Sequence, residues 1–398
     1  MRVLLVINAT IDAARERATA AARRSPRKDY DELRRALGAD VLDLAALAAR
    51  PWTRLARRLA GPALAQALLA WTLSRRYDAI YVDQETSGFA LAALYRFARP
   101  GPRPRLTMIG HLLSPRGKQA LVRALRLERT IDCVVVHSSV QGRLAVRTLG
   151  LSSERVALVP YQVDERFWSS RDAPALAPAE DRICSAGLEY RDYDTLVEAV
   201  AGLPVDVAIA AASGWSAFRF ERGAGAGPLP PNVRIVSLDY ADLRELYASA
   251  LFVVVPLRDV ENQAGITTIL EAMAMSKAVI VSHTRGQTDV VRDRRRASRA
   301  DPSRETQPGW ARLLGAAGDA AEGHTGFYVR PGDVAELRRA ILFLLAHPEQ
   351  ARLMGLNGRR LVEETMGLDL FTARLAALIA GTPADMGGRV EADAPAIG

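Results

Sequence analysis

Short apolar runs alternate with amphipathic stretches along most of the chain. In the first half the apolar runs lie at 3–8, 79–82, 106–109, 133–137 and 156–160. In the second half they recur at 183–186, 205–210, 233–236, 252–255, 279–281 and 326–329. Short runs rich in Val and Ile are typical of buried parallel strands, and helical segments between them are typical of βαβ units. The pattern predicts an α/β protein with two successive Rossmann-like domains and parallel sheets.

Segments without this periodicity set the domain limits. Residues 166–181 contain Ser, Asp, Ala and Pro without an apolar repeat and are interpreted as an interdomain linker. A polar segment over 292–323 is interpreted as a surface insertion in the second domain. The predicted limits are 1–165 for the first domain, 182–365 for the second, 366–381 for a final helix that returns to the first domain, and 382–398 for a flexible tail.

The composition is that of a globular protein. Of the 398 residues, 49% are hydrophobic and 25% are charged, so neither a disordered nor a fibrous chain is indicated. The two cysteines, Cys133 and Cys184, lie in apolar runs and are expected to be buried free thiols. The apolar run at the N-terminus is too short for a signal-peptide core, which favours a cytoplasmic protein.

The positive charge is concentrated in the first half of the chain. Residues 1–170 hold 28 Lys and Arg against 15 Asp and Glu, whereas the remaining residues hold 25 against 30. In the segment 50–76, arginines recur at helical spacing with apolar residues beside them. The arginines are Arg54, Arg57 and Arg58, and the apolar residues are Trp52, Leu55 and Leu59. Two interpretations stay open, a solvated arginine-rich face or a helix that lies on the anionic inner face of a membrane. Nothing in the pattern indicates nucleic-acid binding.

The most informative stretch is 261–289. A strand ends near Pro256, a polar loop follows, and a helix is expected to begin at Ala264 or Gly265. The backbone amides of Gly265, Ile266 and Thr267 then point beyond the ends of the strands, where a helix N-terminus binds an anionic diphosphate well.

This stretch resembles the signature of family-four retaining glycosyltransferases, which have the GT-B fold of two facing Rossmann-like domains with an interdomain cleft. Glu271 matches the second of the two glutamates in that signature and, by that resemblance, is expected to hydrogen-bond the donor ribose. The first glutamate falls on Gln263, which can still bind sugar hydroxyls but carries no charge. The glycine-containing loop 284–289 resembles the loop that the family places near the sugar.

Three other segments extend the resemblance. The strand-turn-helix at 185–196 resembles the turn that grips the diphosphate, with Gly187 at the turn and Arg191 as its cation. The sequence at 159–164 resembles the family's turn between domains, with Gln162 in place of glycine. His111, after a strand of the first domain, resembles the family's histidine that faces the reacting sugar, and His137 is a weaker candidate. A structural histidine or a capping arginine is the alternative at these positions.

A polar loop at 83–88 follows another strand of the first domain. Loops at the carboxyl ends of strands carry the binding sites of α/β folds, so Glu85 and Ser87 are interpreted as acceptor-side residues, with a plain polar turn as the alternative.

The resemblance implies a retaining, metal-independent transfer without a cofactor. The donor is expected to be a nucleoside-diphosphate sugar, with UDP favoured over GDP, and the acceptor a lipid-linked saccharide or a small molecule. No glycine-rich dinucleotide fingerprint, Walker loop or metal-ligand motif occurs in the sequence. The remaining alternatives are a nucleotide-sugar epimerase or phosphorylase on the same fold, or a non-catalytic protein that binds sugar nucleotides.

Overall fold

The structure is a computed structural model that describes residues 1–97, 102–170, 181–212, 227–293 and 323–382. The chain forms two compact units. Unit 1 comprises Met1–Ala21, Arg27–Tyr161 and Leu368–Gly398, and unit 2 comprises Ala22–Pro26 and Gln162–Gly367. Nearly all of the predicted insertion 292–323 and of the predicted tail 382–398 lies outside the described residues, as do residues 171–180 of the predicted linker.

Unit 1 contains a six-stranded parallel sheet. Its strands are β1 (Val3–Val6), β2 (Asp40–Leu42), β3 (Ala79–Val82), β4 (Arg105–Ile109), β5 (Cys133–Val136) and β6 (Val156–Leu158), in the order β2-β1-β3-β4-β5-β6. Its helices are α1 (Ala13–Ala21), α2 (Asp29–Leu37), α3 (Leu44–Ala48), α4 (Pro51–Leu73), α5 (Glu85–Phe97), α6 (Arg116–Ala124) and α7 (Ser139–Arg147). A further helix, Leu368–Ala380, joins this unit from the end of the chain.

Unit 2 repeats this architecture. Its strands are β7 (Arg182–Ala186), β8 (Asp206–Ala212), β9 (Val233–Ser237), β10 (Phe252–Val255), β11 (Ala278–Ser282) and β12 (Gly326–Val329), in the order β12-β11-β10-β7-β8-β9. Its helices are α8 (Tyr193–Val200), α9 (Tyr240–Ser249), α10 (Ile266–Ala274), α11 (Val334–Ala346) and α12 (Pro348–Thr365), so the helix Leu368–Ala380 is α13. The predicted α/β class with two parallel sheets is confirmed.

Both faces of the unit 1 sheet are covered. One face packs against α2 and α13 through Leu33, Phe371 and Leu375, and the other packs against α4 and α5 through Leu69 and Phe89. Because parallel strands are buried on both sides, β1, β3 and β5 are apolar at every position rather than at alternate positions. The two thiols, Cys133 on β5 and Cys184 on β7, are free and buried, as predicted.

The predicted linker 166–181 begins too early. Phe167 and Trp168 are 4% and 1% exposed, and their rings pack edge to face with centroids 4.9 Å apart. The Arg359 guanidinium holds this segment by donating to the carbonyl oxygens of Glu165 at 2.9 Å and Trp168 at 2.8 Å. The segment lacks a periodic pattern because two adjacent aromatic residues pack it, and it belongs to the core of unit 2.

Replacement of Trp168 by alanine is therefore expected to destabilise unit 2 by about 3–5 kcal/mol, because it leaves a large cavity. Urea unfolding followed by circular dichroism measures this. The matched control is Trp52→Ala, because Trp52 is 44% exposed and its loss should change stability by about 0.5 kcal/mol or less. Equal effects of the two variants would contradict the packing of Trp168.

Candidate functional site

The turn after β7 brings a glycine and an arginine into direct contact. Gly187 has a φ of 99°, in the left-handed region that favours glycine. A Cβ atom at Gly187 would overlap the guanidinium of Arg191. Only glycine therefore lets the Arg191 side chain lie across the carboxyl end of β7.

Arg191 is 7% exposed and its guanidinium is held by neutral oxygens. Nε donates to the Ala186 carbonyl, Nη1 donates to the Glu189 carbonyl and Nη2 donates to the Thr268 hydroxyl, each at 2.9 Å. No carboxylate forms a salt bridge with Arg191 in the described ranges of the chain. Burial lowers the pKa of Arg191, although a guanidinium stays protonated in proteins. The turn therefore presents a buried positive charge without a directly paired anion.

The N-terminus of α10 lies against this arginine. Gly265 is the N-cap residue and has a φ of 77°. A Cβ at Gly265 would lie 2.9 Å from Val255 Cγ1, which is too close, and 3.4 Å from Arg191 Nη1. The amide of Ile266 donates to the Gln263 carbonyl at 3.2 Å. The amides of Gly265 and Thr267 have no acceptor within the described residues. Two of the three amides predicted to bind phosphate are thus available.

Glu271 lies farther along α10 and has a buried partner. Its Oε2 accepts a hydrogen bond from the Tyr247 hydroxyl at 3.0 Å. Tyr247 is fully buried, and burial beside Glu271 raises its pKa well above the usual value, so the hydroxyl stays a donor. Sequence reasoning missed Tyr247 and Thr268, because no local pattern marks a tyrosine or a threonine that will meet α10 or Arg191 in the fold.

The loop after β11 braces the turn that carries Gln263. The Gly286 amide donates to the Val260 carbonyl at 2.9 Å, and a Cβ at Gly286 would overlap the backbone of Asn262. The Gln287 side chain is fully buried and its Nε2 donates to the Ala264 carbonyl at 3.1 Å. The loop that was expected near the sugar therefore fixes the backbone before α10. Gln263 itself is partly exposed, and its role stays a prediction.

In unit 1, His111 is exposed and held by the loop after β3. Its ring Nε2 donates to the Asp83 carbonyl at 3.1 Å, and its backbone amide donates to Glu85 Oε2 at 3.1 Å. Glu85 is 5% exposed and also pairs with Lys118 Nζ at 2.5 Å. Glu85 thus orients the His111 loop, and a direct acceptor contact of Glu85 stays a prediction.

Two other polar candidates of unit 1 are inside the fold. Ser87 is 1% exposed and donates to Gln66 Oε1 at 3.3 Å, so its hydroxyl is not presented at the loop surface. His137 is 7% exposed, and its Nδ1 donates to the Val159 carbonyl at 2.8 Å. Burial lowers the pKa of His137 to about 3, so this ring is neutral. The centroid of its ring lies 5.5 Å from the centroid of the His111 ring.

A small cavity of about 40 Å³ opens at the carboxyl ends of β1 and β3, between α2 and α13. Its lining includes Asp29, Tyr81 and Asp83. Asp83 Oδ2 accepts from the Asn8 amide at 2.8 Å, whereas its buried Oδ1 has no hydrogen-bond partner among the described residues. Burial raises the pKa of Asp83 to about 7, with a contribution from Asp29. Sequence reasoning selected this loop but not this residue.

The described residues contain neither a metal-binding cluster nor a membrane-spanning helix. None of their His, Cys, Asp and Glu side chains forms a group of three or more that could hold a metal ion. None of their helices is both long and apolar enough to cross a membrane.

The sequence profile of the family described as "Glycosyl transferases group 1" matches residues 186–307, the part of unit 2 that contains Gly187, Arg191 and α10. The chain has the GT-B fold, and this part of unit 2 is similar to group 1 glycosyltransferases. No curated protein has a matching sequence.

Solved GT-B structures resemble this chain over nearly its whole length. Sucrose-phosphate synthase from Thermosynechococcus elongatus is 18% identical, with a TM-score of 0.64, over 96% of this chain and 99% of that chain. A glycosyltransferase from Rickettsia africae is 13% identical, with a TM-score of 0.60, over 96% and 99%. Anabaena HepE in complex with UDP and glucose is 15% identical, with a TM-score of 0.58, over the same shares. At these identities the likeness shows the fold.

The contact between Gly187 and Arg191 gives a direct test of the arginine's position. Gly187→Ala is expected to displace the guanidinium and to weaken nucleotide binding about tenfold or more, because a charge-assisted contact is lost. Gly202→Ala is the matched control: Gly202 also has a positive φ, of 71°, but a Cβ there meets nothing within 4 Å. Both variants carry a backbone strain of about 1 kcal/mol. Isothermal titration with UDP should separate them, and equal affinities would contradict the assigned position.

The cavity carboxylate of unit 1 predicts a dependence of stability on pH. An unfolded aspartate has a pKa near 3.8, and the folded Asp83 has one of about 7, so ionisation of Asp83 costs stability progressively as the pH rises through this window. Asp83→Asn removes that cost. The gain in Tm over the wild type should therefore grow from pH 4 to pH 7 and then level off. A gain that is largest at pH 4 would contradict the burial of this group.

Proposed function

We propose that the protein transfers a sugar from a nucleoside-diphosphate sugar to an acceptor hydroxyl, with retention at the anomeric carbon. One observation carries this proposal: the buried Arg191 guanidinium has no salt-bridged carboxylate in the described chain and lies beside the N-terminus of α10. A buried charge without a paired ion is costly unless a ligand supplies the opposite charge. A diphosphate supplies it.

The donor diphosphate fits the hydrogen-bond donors that remain. A guanidinium has five N–H groups, of which three are used by Ala186, Glu189 and Thr268, so two remain for phosphate oxygens. The unpartnered amides of Gly265 and Thr267 add donors, and the α10 dipole favours negative charge at the same point. In this proposal Gly187 and Ile266 shape the pocket without donating to the ligand.

The rest of the donor is assigned to the partly exposed side of α10 and the loop before it. Glu271 keeps one carboxylate oxygen on Tyr247, and we propose that the carboxylate also binds the ribose hydroxyls. Gln263 is proposed to hydrogen-bond a hydroxyl of the transferred sugar. UDP is the proposed nucleotide; HepE, a fold neighbour, has been crystallised with UDP-glucose. The acceptor is proposed to be a saccharide, lipid-linked or small, in a cytoplasmic reaction.

The proposed step takes place on one face of the sugar. The bond between the anomeric carbon and the diphosphate oxygen breaks, and the bond to the acceptor oxygen forms on the same face. The departing diphosphate oxygen takes the acceptor proton, so no separate base is needed. Arg191 and α10 stabilise the negative charge that grows on the leaving group, which makes the proposed transfer independent of a metal ion. His111 is proposed to contribute to the sugar-facing surface of unit 1.

Two other functions are distinguished by their products. A nucleotide-sugar epimerase would convert the donor without an acceptor, and it needs acid-base groups at the sugar, where Gln263 cannot serve. A non-catalytic binding protein would bind the donor and release no nucleotide. Incubation with a panel of nucleotide sugars, followed by detection of free nucleoside diphosphate and of the product's anomeric configuration, tests the proposal. An inverted product would overturn the retaining assignment.

The role of Arg191 is tested by removing its charge. Arg191→Gln is expected to weaken UDP binding by about 10- to 100-fold, because a hydrogen bond to a charged group is worth about 1.5–3 kcal/mol. Uridine lacks the phosphates, so its weaker affinity should not change. Titration calorimetry with both ligands measures the difference.

Arg338→Gln is the matched control for this experiment. Arg338 also donates only to carbonyl oxygens of unit 2 among its hydrogen bonds, those of Ala199 at 3.0 Å and Ala201 at 2.9 Å. It should leave the affinity for UDP unchanged. If Arg191→Gln weakened UDP and uridine equally, the residue would act through the fold of the pocket rather than through the diphosphate.

A further inference from the structure

Helix α4 of unit 1 is broken in its middle. Gly61 has a φ of 83° and a ψ of 168°, a conformation that is essentially restricted to glycine, and Pro62 follows it. After the break, the helix packs into unit 1 through Ala65 and Leu69. Before the break, residues 51–60 form a separate helical segment, which is anchored by the Thr53 hydroxyl at 2.6 Å from the Leu47 carbonyl.

The anchored segment leaves a large apolar surface in solvent. Trp52, Leu55 and Leu59 are 44%, 57% and 79% exposed. Their spacing of three and four residues puts them on one side of the helix. Thr53 and Ala56 lie on the side that contacts unit 1. The exposed stripe is thus separate from the buried side of the same helix.

The charges along this segment of the chain have one sign. No Asp or Glu occurs between Leu44 and Tyr77, and six exposed arginines do: Arg50, Arg54, Arg57, Arg58, Arg75 and Arg76. None of the six forms an ion pair with any described residue. Other arginines of unit 1 do form ion pairs; Arg34 and Arg35, for example, both bind Asp31. The segment therefore presents uncompensated positive charge beside exposed Trp and Leu side chains.

We propose that residues 50–60 form a docking surface for an anionic lipid bilayer. Trp52, Leu55 and Leu59 insert at the level of the headgroups, and the arginines beside them bind lipid phosphates. A helix with an apolar stripe, an arginine-rich face and an aromatic residue is suited to lie in this interface. The proposal concerns unit 1 alone and does not depend on the transferase activity of unit 2.

A second copy of the chain is a less suitable occupant. A symmetric contact through this segment would bring two sets of arginines together, and like charges across an interface are costly. Three side chains also expose much less than the roughly 1,200 Å² that a stable protein interface buries. An anionic bilayer has neither problem. Its negative charge complements the arginines, and a single helical stripe is enough to insert into it.

The experiment is co-sedimentation of the full-length protein with phosphatidylcholine vesicles, with and without phosphatidylglycerol, at low and at high salt. Binding is expected only with the anionic lipid and should weaken as salt rises. Arg54→Gln, Arg57→Gln and Arg58→Gln together should lower the partition coefficient by about 100-fold, since each arginine contributes about fivefold. Trp52→Ser, Leu55→Ser and Leu59→Ser together should lower it about tenfold or more.

Leu353→Ser with Leu356→Ser is the matched control, because these leucines of α12 are 43% and 58% exposed but belong to unit 2. This variant should bind vesicles like the wild type. All the substituted side chains except Trp52 and Leu353 are more than half exposed or charged, and circular dichroism checks that each variant is folded. Failure of the wild type to bind anionic vesicles at low salt, or unchanged binding by the arginine variant, would overturn the proposal. A wild-type dimer in sedimentation equilibrium without lipid, if the serine variant dissociated it, would also overturn the proposal.

Discussion

A buried guanidinium sets the local structure of unit 2. Arg191 can lie across the end of β7 only because Gly187 has no side chain, and α10 can begin beside it because Gly265 has no Cβ to press on Val255. The arginine then uses three of its donors on neutral oxygens and directs its charge toward the first turn of α10. Each of these contacts constrains the same small region, and together they form the site at which we propose that the donor diphosphate binds.

Much of the fold could be predicted from the sequence, because buried parallel strands are continuous apolar runs. The strand of residues 79–82 was placed at its observed limits, and the start of α10 was placed within two residues. Strand β2, Asp40–Leu42, was missed because three residues at the edge of a sheet carry no detectable pattern. The segment of Phe167 and Trp168 was assigned to a linker because its order comes from tertiary packing, which a local pattern does not encode.

In the candidate site, too, residues marked by a local pattern could be predicted and partners from distant segments could not. The sequence pointed to Gly187, Arg191 and the N-terminus of α10, because their spacing along the chain follows the strand-turn-helix pattern. It did not reveal that Thr268 holds Arg191 or that Tyr247 holds Glu271, since those partners come from distant segments. In the loop after β3, the sequence favoured Glu85 and Ser87. In the structure Glu85 pairs with Lys118 and Ser87 donates to Gln66, whereas Asp83 lines the cavity. The first turn of α5 decides which of these side chains face inward.

The two units thus present different chemistry at the carboxyl ends of their strands. Unit 2 offers cationic and amide donors suited to a diphosphate, and unit 1 offers a histidine and buried carboxylates suited to hydroxyl groups. The most direct test of the central claim is a crystal structure of the protein grown with UDP. We predict that phosphate oxygens lie about 3 Å from the Arg191 guanidinium and from the amides of Gly265 and Thr267. A diphosphate bound elsewhere, with Arg191 still held only by neutral oxygens, would contradict the account.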